Sequence, residues 1–240
     1  MDAFDNNANM PHLNDPAVSH VKDCFLYNIS RISYTKALDL QHELHAKCAS
    51  REIPGILLIL EHDPVITMGV KTGKGNVLVS REVLIKEGIE LTETDRGGDV
   101  TYHGPGQIVG YPIFRLREMG GDLHAYLRTL EESIILALAE FGLKGERNGP
   151  AGVWVNNKKV CSIGVAVRKW VTYHGFSLNV APNMRHFSLI NPCGLAADKI
   201  TCLAELLGYE PDLIEVREAC ARGFETAFGL RFTPWPGDSP

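Results

Sequence analysis

No two of the chain's six cysteines (Cys24, Cys48, Cys161, Cys193, Cys202, Cys220) stand in a Cys-x-x-Cys pair. Scattered thiols speak against a zinc site or a disulfide scaffold and fit reduced cysteines in a cytoplasm. Positive charge is not in excess either: 24 lysines and arginines face 29 aspartates and glutamates, a net charge of −5. Overall charge therefore does not drive binding to nucleic acid. Long hydrophobic runs are missing, since Ile53–Leu60 is strand-sized and far short of a membrane span. The polar, acidic, Asn-rich stretch Met1–Pro16 is unlike a signal peptide. The nine histidines lack metal-ligand spacing. No repeat or long linker splits the chain. Residues 1–20 are expected to be a disordered tail, 21–230 one catalytic domain and 231–240 a Pro-rich tail.

What is present is a mixture of strand and helix patterns. Cys24–Ser30 has strand composition, and Ser33 is placed to cap a helix through Ala49, with Ala37, Leu40, Leu44 and Cys48 at helical spacing. Gly55–His62 is a continuous apolar run, the pattern of a strand buried on both faces. A short helix from Ser80 to Glu87 stops at Gly88, and Ile89–Asp95 follows as a strand. Asp122 to Phe141 forms the longest predicted helix, capped by Asp122 and stopped by Gly142. Gly152–Val155, Lys159–Val167 and Lys169–Val180 are predicted strands, the first two joined by an Asn156-Asn157-Lys158 turn. Short helices near Met184–Leu189 and Lys199–Leu206 and a final helix from Pro211 to Phe228 complete the pattern. This irregular mixture predicts an α+β fold: a single domain with a mixed, largely antiparallel central sheet flanked by helices.

The densest functional signal is Arg96-Gly-Gly-Asp-Val-Thr-Tyr-His-Gly-Pro-Gly-Gln107. Its glycines let backbone approach a bound molecule closely, and its spacing fits neither a Walker loop nor a dinucleotide fingerprint. Cys193 stands between Pro192 and Gly194 before a predicted helix, where a helix N-terminus favours thiolate; the competing reading is a small buried residue. Lys159 enters an apolar strand and either snorkels to solvent or points into a pocket, where desolvation would let it exchange a proton. His103 and His174 fit a core role and a site role equally, while His42 and His45 look structural or exposed.

Six segments taken in order resemble the lipoyl(octanoyl) transferase family of the biotin/lipoate-protein ligase superfamily. They are Glu61–Gly69, Arg96–Gln107, Gly152–Trp154, Lys159–Gly164, His174–Asn179 and Asn191–Gly194. The resemblance covers about residues 24 to 207 and implies the catalytic-domain fold of that superfamily. It implies transfer of an octanoyl group from octanoyl-acyl carrier protein to a lysine of lipoyl domains, in 2-oxoacid dehydrogenase complexes and the glycine cleavage H protein. Cys193 would carry the acyl group as a thioester and Lys159 would lower its pKa and relay protons. Arg96, Gly97, Gly98, Asp99, Val100, Thr101, Tyr102, His103, Ser162, Ile163, Gly164, Gly175, Phe176 and Ser177 would contact substrate, with His174 and Asn179 behind them. Neither ATP nor a metal is expected, since a thioester donor already carries the activation.

Three other readings compete: an ATP-dependent lipoate or biotin ligase of the same fold, a non-catalytic lipoyl-domain or acyl-carrier binding module, and a metal enzyme. A ligase needs no nucleophilic cysteine, and the pair Lys159/Cys193 counts against both it and the binding module. Because both implied partners are acidic, Lys158, Arg168, Lys169 and Arg185 are expected to form a basic patch at the mouth of the site.

Overall fold

The computed structural model describes residues 22–73, 75–191 and 197–237. Strand β1 (Lys22–Ile32) leads into helix α1 (Tyr34–Ala49) and strand β2 (Ile56–His62). Every residue of β2 except Glu61 is buried, as an unbroken apolar run in the middle of a sheet should be. Then come β3 (Val65–Met68), α2 (Arg81–Lys86), β4 (Glu90–Glu93), β5 (Val100–His103) and β6 (Gln107–Ile113). The chain continues through α3 (Leu123–Ala139), β7 (Gly152–Val155), β8 (Lys158–Arg168) and β9 (Val171–Asn179). It closes with α4 (Leu203–Leu207), α5 (Leu213–Phe228) and β10 (Leu230–Pro234).

Seven strands form one sheet in the order β10-β1-β2-β6-β9-β8-β7, and β4-β3-β5 form a second. β1 runs parallel to β10 and β2, and the remaining pairs of the large sheet are antiparallel. The result is the α+β arrangement that the irregular element order implies. Helices α3 and α5 cover one face through Tyr126, Leu130, Ile134, Val216 and Phe224. Helix α1 covers another region through Ala37, Leu44 and Cys48, the positions whose helical spacing marks them in the sequence. Asp122 caps α3 by accepting from the Ala125 N–H at 2.8 Å. Asn156 and Asn157, with φ of 51° and 62°, make the tight turn between β7 and β8.

Two expectations are corrected. Residues 231–234 are part of the fold, not of a Pro-rich tail: Lys22–Leu26 pairs with Leu230–Pro234, and Trp235 packs edge-on against Phe25 with ring centroids 5.2 Å apart. Proline at the last position of an edge strand removes no needed ladder bond, so composition alone misjudged this segment. Lys169 lies in the β8–β9 turn with Trp170, both at positive φ (50° and 63°), not in a strand. Among the described residues no helix is long and apolar enough to cross a membrane.

Candidate active site

Three strands present a row of facing residues: Val109 on β6 pairs with Ser177 on β9, which pairs with Ser162 on β8. Gly164 and Gly175 pair two residues further along. Above this floor lie the second sheet and the glycine-rich segment, bounding a half-open cavity of about 680 Å³. Arg96, Gly97, Gly98, Asp99, Val100, Thr101 and His103 line it from above. Lys159, Ser162, Ile163, Gly164, His174, Gly175, Phe176 and Ser177 line it from the sheet. Residues far apart in sequence thus converge on one space. Among the described residues expected at the site, two do not line it. The Tyr102 side chain turns to His186 and Phe187, at ring distances of 4.9 and 5.5 Å, and Asn179 sits behind the wall.

Arg96 clamps the roof. Its Nη2 donates to the Thr67 carbonyl at 2.7 Å and to Thr67 Oγ1 at 2.8 Å, and its Nη1 donates to the Gly97 carbonyl at 3.2 Å. Asp99 ties down a loop: it accepts from the Val100 N–H and from Asn76 Nδ2, both at 2.7 Å. The Asn76 carbonyl in turn accepts from the Asn191 N–H at 2.8 Å. On the other side, the Thr201 N–H donates to the Lys159 carbonyl at 3.0 Å, and Ile200 bridges to Lys159 in parallel. Cys193 lies outside the described residues, but the chain on both sides of it is anchored, at Asn191 and at Ile200. Lys159 itself is only 4% exposed, so the solvent-facing reading of this lysine is excluded.

A buried chain of hydrogen bonds fixes His103. Asn179 Nδ2 donates to the Thr201 carbonyl at 3.0 Å, so Asn179 Oδ1 accepts from Gln107 Nε2 at 2.8 Å. Gln107 Oε1 then accepts from His103 Nδ1–H at 2.7 Å. Burial, reinforced by His62, holds His103 neutral well below the ordinary histidine range. His62 donates from Nδ1 to the Ile32 carbonyl at 2.9 Å and accepts from the Tyr111 hydroxyl at 2.6 Å. Burial lowers its pKa to about 4. His174 has a φ of 55° in the middle of β9 and pairs with Asp95 through Nε2 at 2.8 Å. Burial lowers its pKa as well, against the opposing pull of Asp95. Burial pushes Asp95 up, yet hydrogen bonds from His174 and Tyr173 outweigh that and hold it below the usual carboxylate range.

These histidines set a pH dependence. A histidine neutral in the fold but titrating near pH 6.5 when unfolded lets the unfolded chain take up protons that the fold refuses. Stability therefore falls as pH drops from about 6.5 toward 4, by ~1.4 kcal/mol per pH unit for each such group. The urea midpoint is expected to fall steeply between pH 7 and 5, and His62→Gln is expected to reduce that slope by one proton. A midpoint flat over this range would mean that the buried histidines are charged in the fold.

Tyr34, His62, Gln107 and Tyr111 were not singled out as site residues in the sequence. His62 and Gln107 sit inside motifs that were, and their polar character amid apolar runs was the available signal. Tyr34 looked like an ordinary helix start. The five described cysteines are all buried. Burial raises the Cys24 thiol to about 12 and Cys48 to about 11, which keeps them protonated and unreactive. Lys158 does not share one surface with Arg168 and Lys169. Lys158 begins β8 and Arg168 ends it, ten residues away, on the order of 30 Å along an extended strand. Among the described residues no three His, Cys, Asp or Glu groups converge to hold a metal ion.

A family model, the lipoyl protein ligase A/B catalytic domain, matches residues 33–225. An octanoyltransferase of Caldicellulosiruptor saccharolyticus is 44% identical over 212 residues, covering 87% of this chain and 89% of the relative. An octanoyltransferase of Geobacter metallireducens is 46% identical over 198 residues, 82% of this chain and 90% of its own. Among solved structures, the bi-partite lipoate protein ligase of Thermoplasma acidophilum superposes with a TM-score of 0.70 at 20% identity, over 90% of this chain and 87% of that one. A lipoate-protein ligase A bound with ATP superposes at 0.71 with 18% identity, over 88% of each chain. Likeness at that identity speaks for the fold alone.

Proposed function

The chain belongs to the lipoyl protein ligase A/B catalytic-domain family, and on that premise we propose that it is an octanoyltransferase working through a Cys193 thioester. The donor is octanoyl-acyl carrier protein and the acceptor is a lysine of a lipoyl domain, as in 2-oxoacid dehydrogenase complexes or the glycine cleavage H protein. The observation that carries the reading is the cavity with Lys159 buried in its wall, beside a chain segment anchored on both sides of Cys193. The high identity to octanoyltransferases over most of both chains supports it.

The chemistry balances without ATP or a metal. The Cys193 thiolate attacks the donor thioester carbonyl, the carbon–sulfur bond to the carrier breaks, and the carrier thiolate leaves and is protonated. One thioester replaces another, which is close to isoenergetic. The neutral acceptor amine then attacks the acyl-enzyme carbonyl, the bond to Cys193 breaks, and the amine proton passes through Lys159 to the departing Cys193 thiolate. Amide formation makes this second step downhill. The cavity is lined by small and apolar groups along β8 and β9 and suits an unbranched acyl tail, each buried methylene contributing ~0.8 kcal/mol.

Intact mass after incubation with octanoyl-acyl carrier protein tests this reading. The native chain is expected to gain one octanoyl mass, labile to neutral hydroxylamine and absent from Cys193→Ser, and to pass it to added lipoyl domain. Acylation of the domain only with ATP plus free octanoate or lipoate would make the protein a ligase. No transfer in either arm would leave a binding module.

A further inference from the structure

Trp154 on β7 is the direct cross-strand partner of Lys159 on β8, and Lys159 Nζ stands 5.6 Å from the centroid of its ring. Both residues are buried, at 5% and 4% exposure, and a cation over an indole face is held more strongly there than in open water. Trp154 does not line the cavity, so it meets Lys159 from behind.

The surroundings hold this contact in place. Trp154 and Glu146 exchange both backbone hydrogen bonds, at 2.8 and 2.9 Å. A Cβ on Gly152 would lie 2.6 Å from Lys159 Cε and 2.2 Å from the Cys161 carbonyl, so only glycine leaves room for the lysine stem. The Gly152 N–H donates to Glu131 Oε1 at 3.2 Å. Glu131 is itself buried and paired with Arg128 and Arg147, at 2.9 and 3.2 Å. From the far side Thr201 grips the Lys159 backbone. A lysine has four flexible methylenes, and a wall against its stem and an aromatic face by its amine narrow the positions the amine samples.

We infer that Trp154 is the positioning residue for Lys159, fixing the amine at the cavity wall and favouring its charged form. The inference rests on the reading of Lys159 as the proton-handling group. Among the described residues, the charged and titratable groups on the elements around Lys159 include Glu131 with Arg128 and Arg147, Glu146, Lys158 and the buried Cys161 thiol, Asp198, Lys199, Cys202 and Glu205 near Ile200 and Thr201, and Lys71, Arg96, Asp99, His103 and His174 across the cavity. None of these is altered by a change at Trp154. Removing the ring withdraws its stabilisation from the ammonium, so the pKa of Lys159 is expected to fall.

The test is the pH profile of kcat for octanoyl transfer by the native enzyme, Trp154→Phe, Trp154→Leu and Lys159→Gln, with octanoyl-acyl carrier protein and lipoyl domain. The limb that disappears in Lys159→Gln is expected to move down by ~0.5 pH unit in Trp154→Leu. The kcat of that variant at the native optimum should fall about 5-fold, with KM unchanged. Trp154→Phe keeps an aromatic face and should recover most of both effects. If Trp154→Leu does not fold, the smaller shift in Trp154→Phe carries the test. Equal losses at every pH, with the limb unmoved, would reduce Trp154 to packing. Native activity in Lys159→Gln would instead overturn the reading of Lys159, whatever the tryptophan variants do.

Discussion

Lys159→Arg is expected to lower octanoyl transfer by at least ~100-fold, the range for removing a positioned proton-transfer group. The variant keeps the positive charge, so the loss isolates the proton. A guanidinium does not release its proton in a protein, whereas a partly desolvated amine does. Space adds to the effect. The stem of Lys159 runs where Gly152 leaves no room for even a methyl group, and the broader arginine fork must displace the backbone of β7 or withdraw from the Trp154 face. Intact mass separates the two steps. If Lys159 serves both, the variant acylates slowly, and any acyl-enzyme it forms persists when lipoyl domain is added. Turnover within about threefold of native would make Lys159 a fixed charge whose proton is not used.

Much of this arrangement was legible in the sequence because local and tertiary demands agreed. The apolar run Ile56–Leu60 had to be a central strand, and Ala37, Leu44 and Cys48 had to face the core; both are so. The glycine-rich segment announced a close-packed wall, and it is one. What the sequence did not disclose depends on contacts between distant positions. Arg96 lines the cavity, but the sequence does not disclose that its guanidinium is bonded to Thr67, 29 residues earlier, and clamps the roof. Nothing near Trp154 in the sequence marks it as the neighbour of Lys159; the β7–β8 register does, including its irregularity beside Val153. Lys158 drops out of the expected basic patch for the same reason. Lys158 and Arg168 are close in sequence, but an extended strand carries them to opposite ends. β10 was missed because parallel pairing with β1 joins the two ends of the described chain, a contact no local pattern encodes.

Gly164→Ala is expected to cut kcat/KM for octanoyl transfer by ~15-fold while sparing hexanoyl transfer, on ~0.8 kcal/mol per methylene displaced. A Cβ at this position would lie 2.6 Å from the Gly97 carbonyl oxygen, a backbone atom. The overlap cannot be relieved by a side-chain rotation, so the Gly97 segment must lift or β8 must sink. Lifting is resisted. The Gly97 N–H is bonded to the Val165 carbonyl at 2.9 Å, and Arg96 Nη1 holds the Gly97 carbonyl at 3.2 Å while anchored on Thr67. The added methyl group therefore stays wedged between roof and floor, five residues along β8 from Lys159. An acyl chain whose tail lies along β8 at Gly164 has its last carbons beside this point. Displacing two terminal methylenes accounts for the ~15-fold loss with octanoyl, and a chain shorter by two carbons does not reach the obstruction. Comparing kcat/KM for hexanoyl, octanoyl and decanoyl donors decides the matter. A preference that turns toward hexanoyl makes Gly164 and Gly97 the stop that measures chain length, whereas equal losses for all three donors would place the acyl tail elsewhere in the cavity.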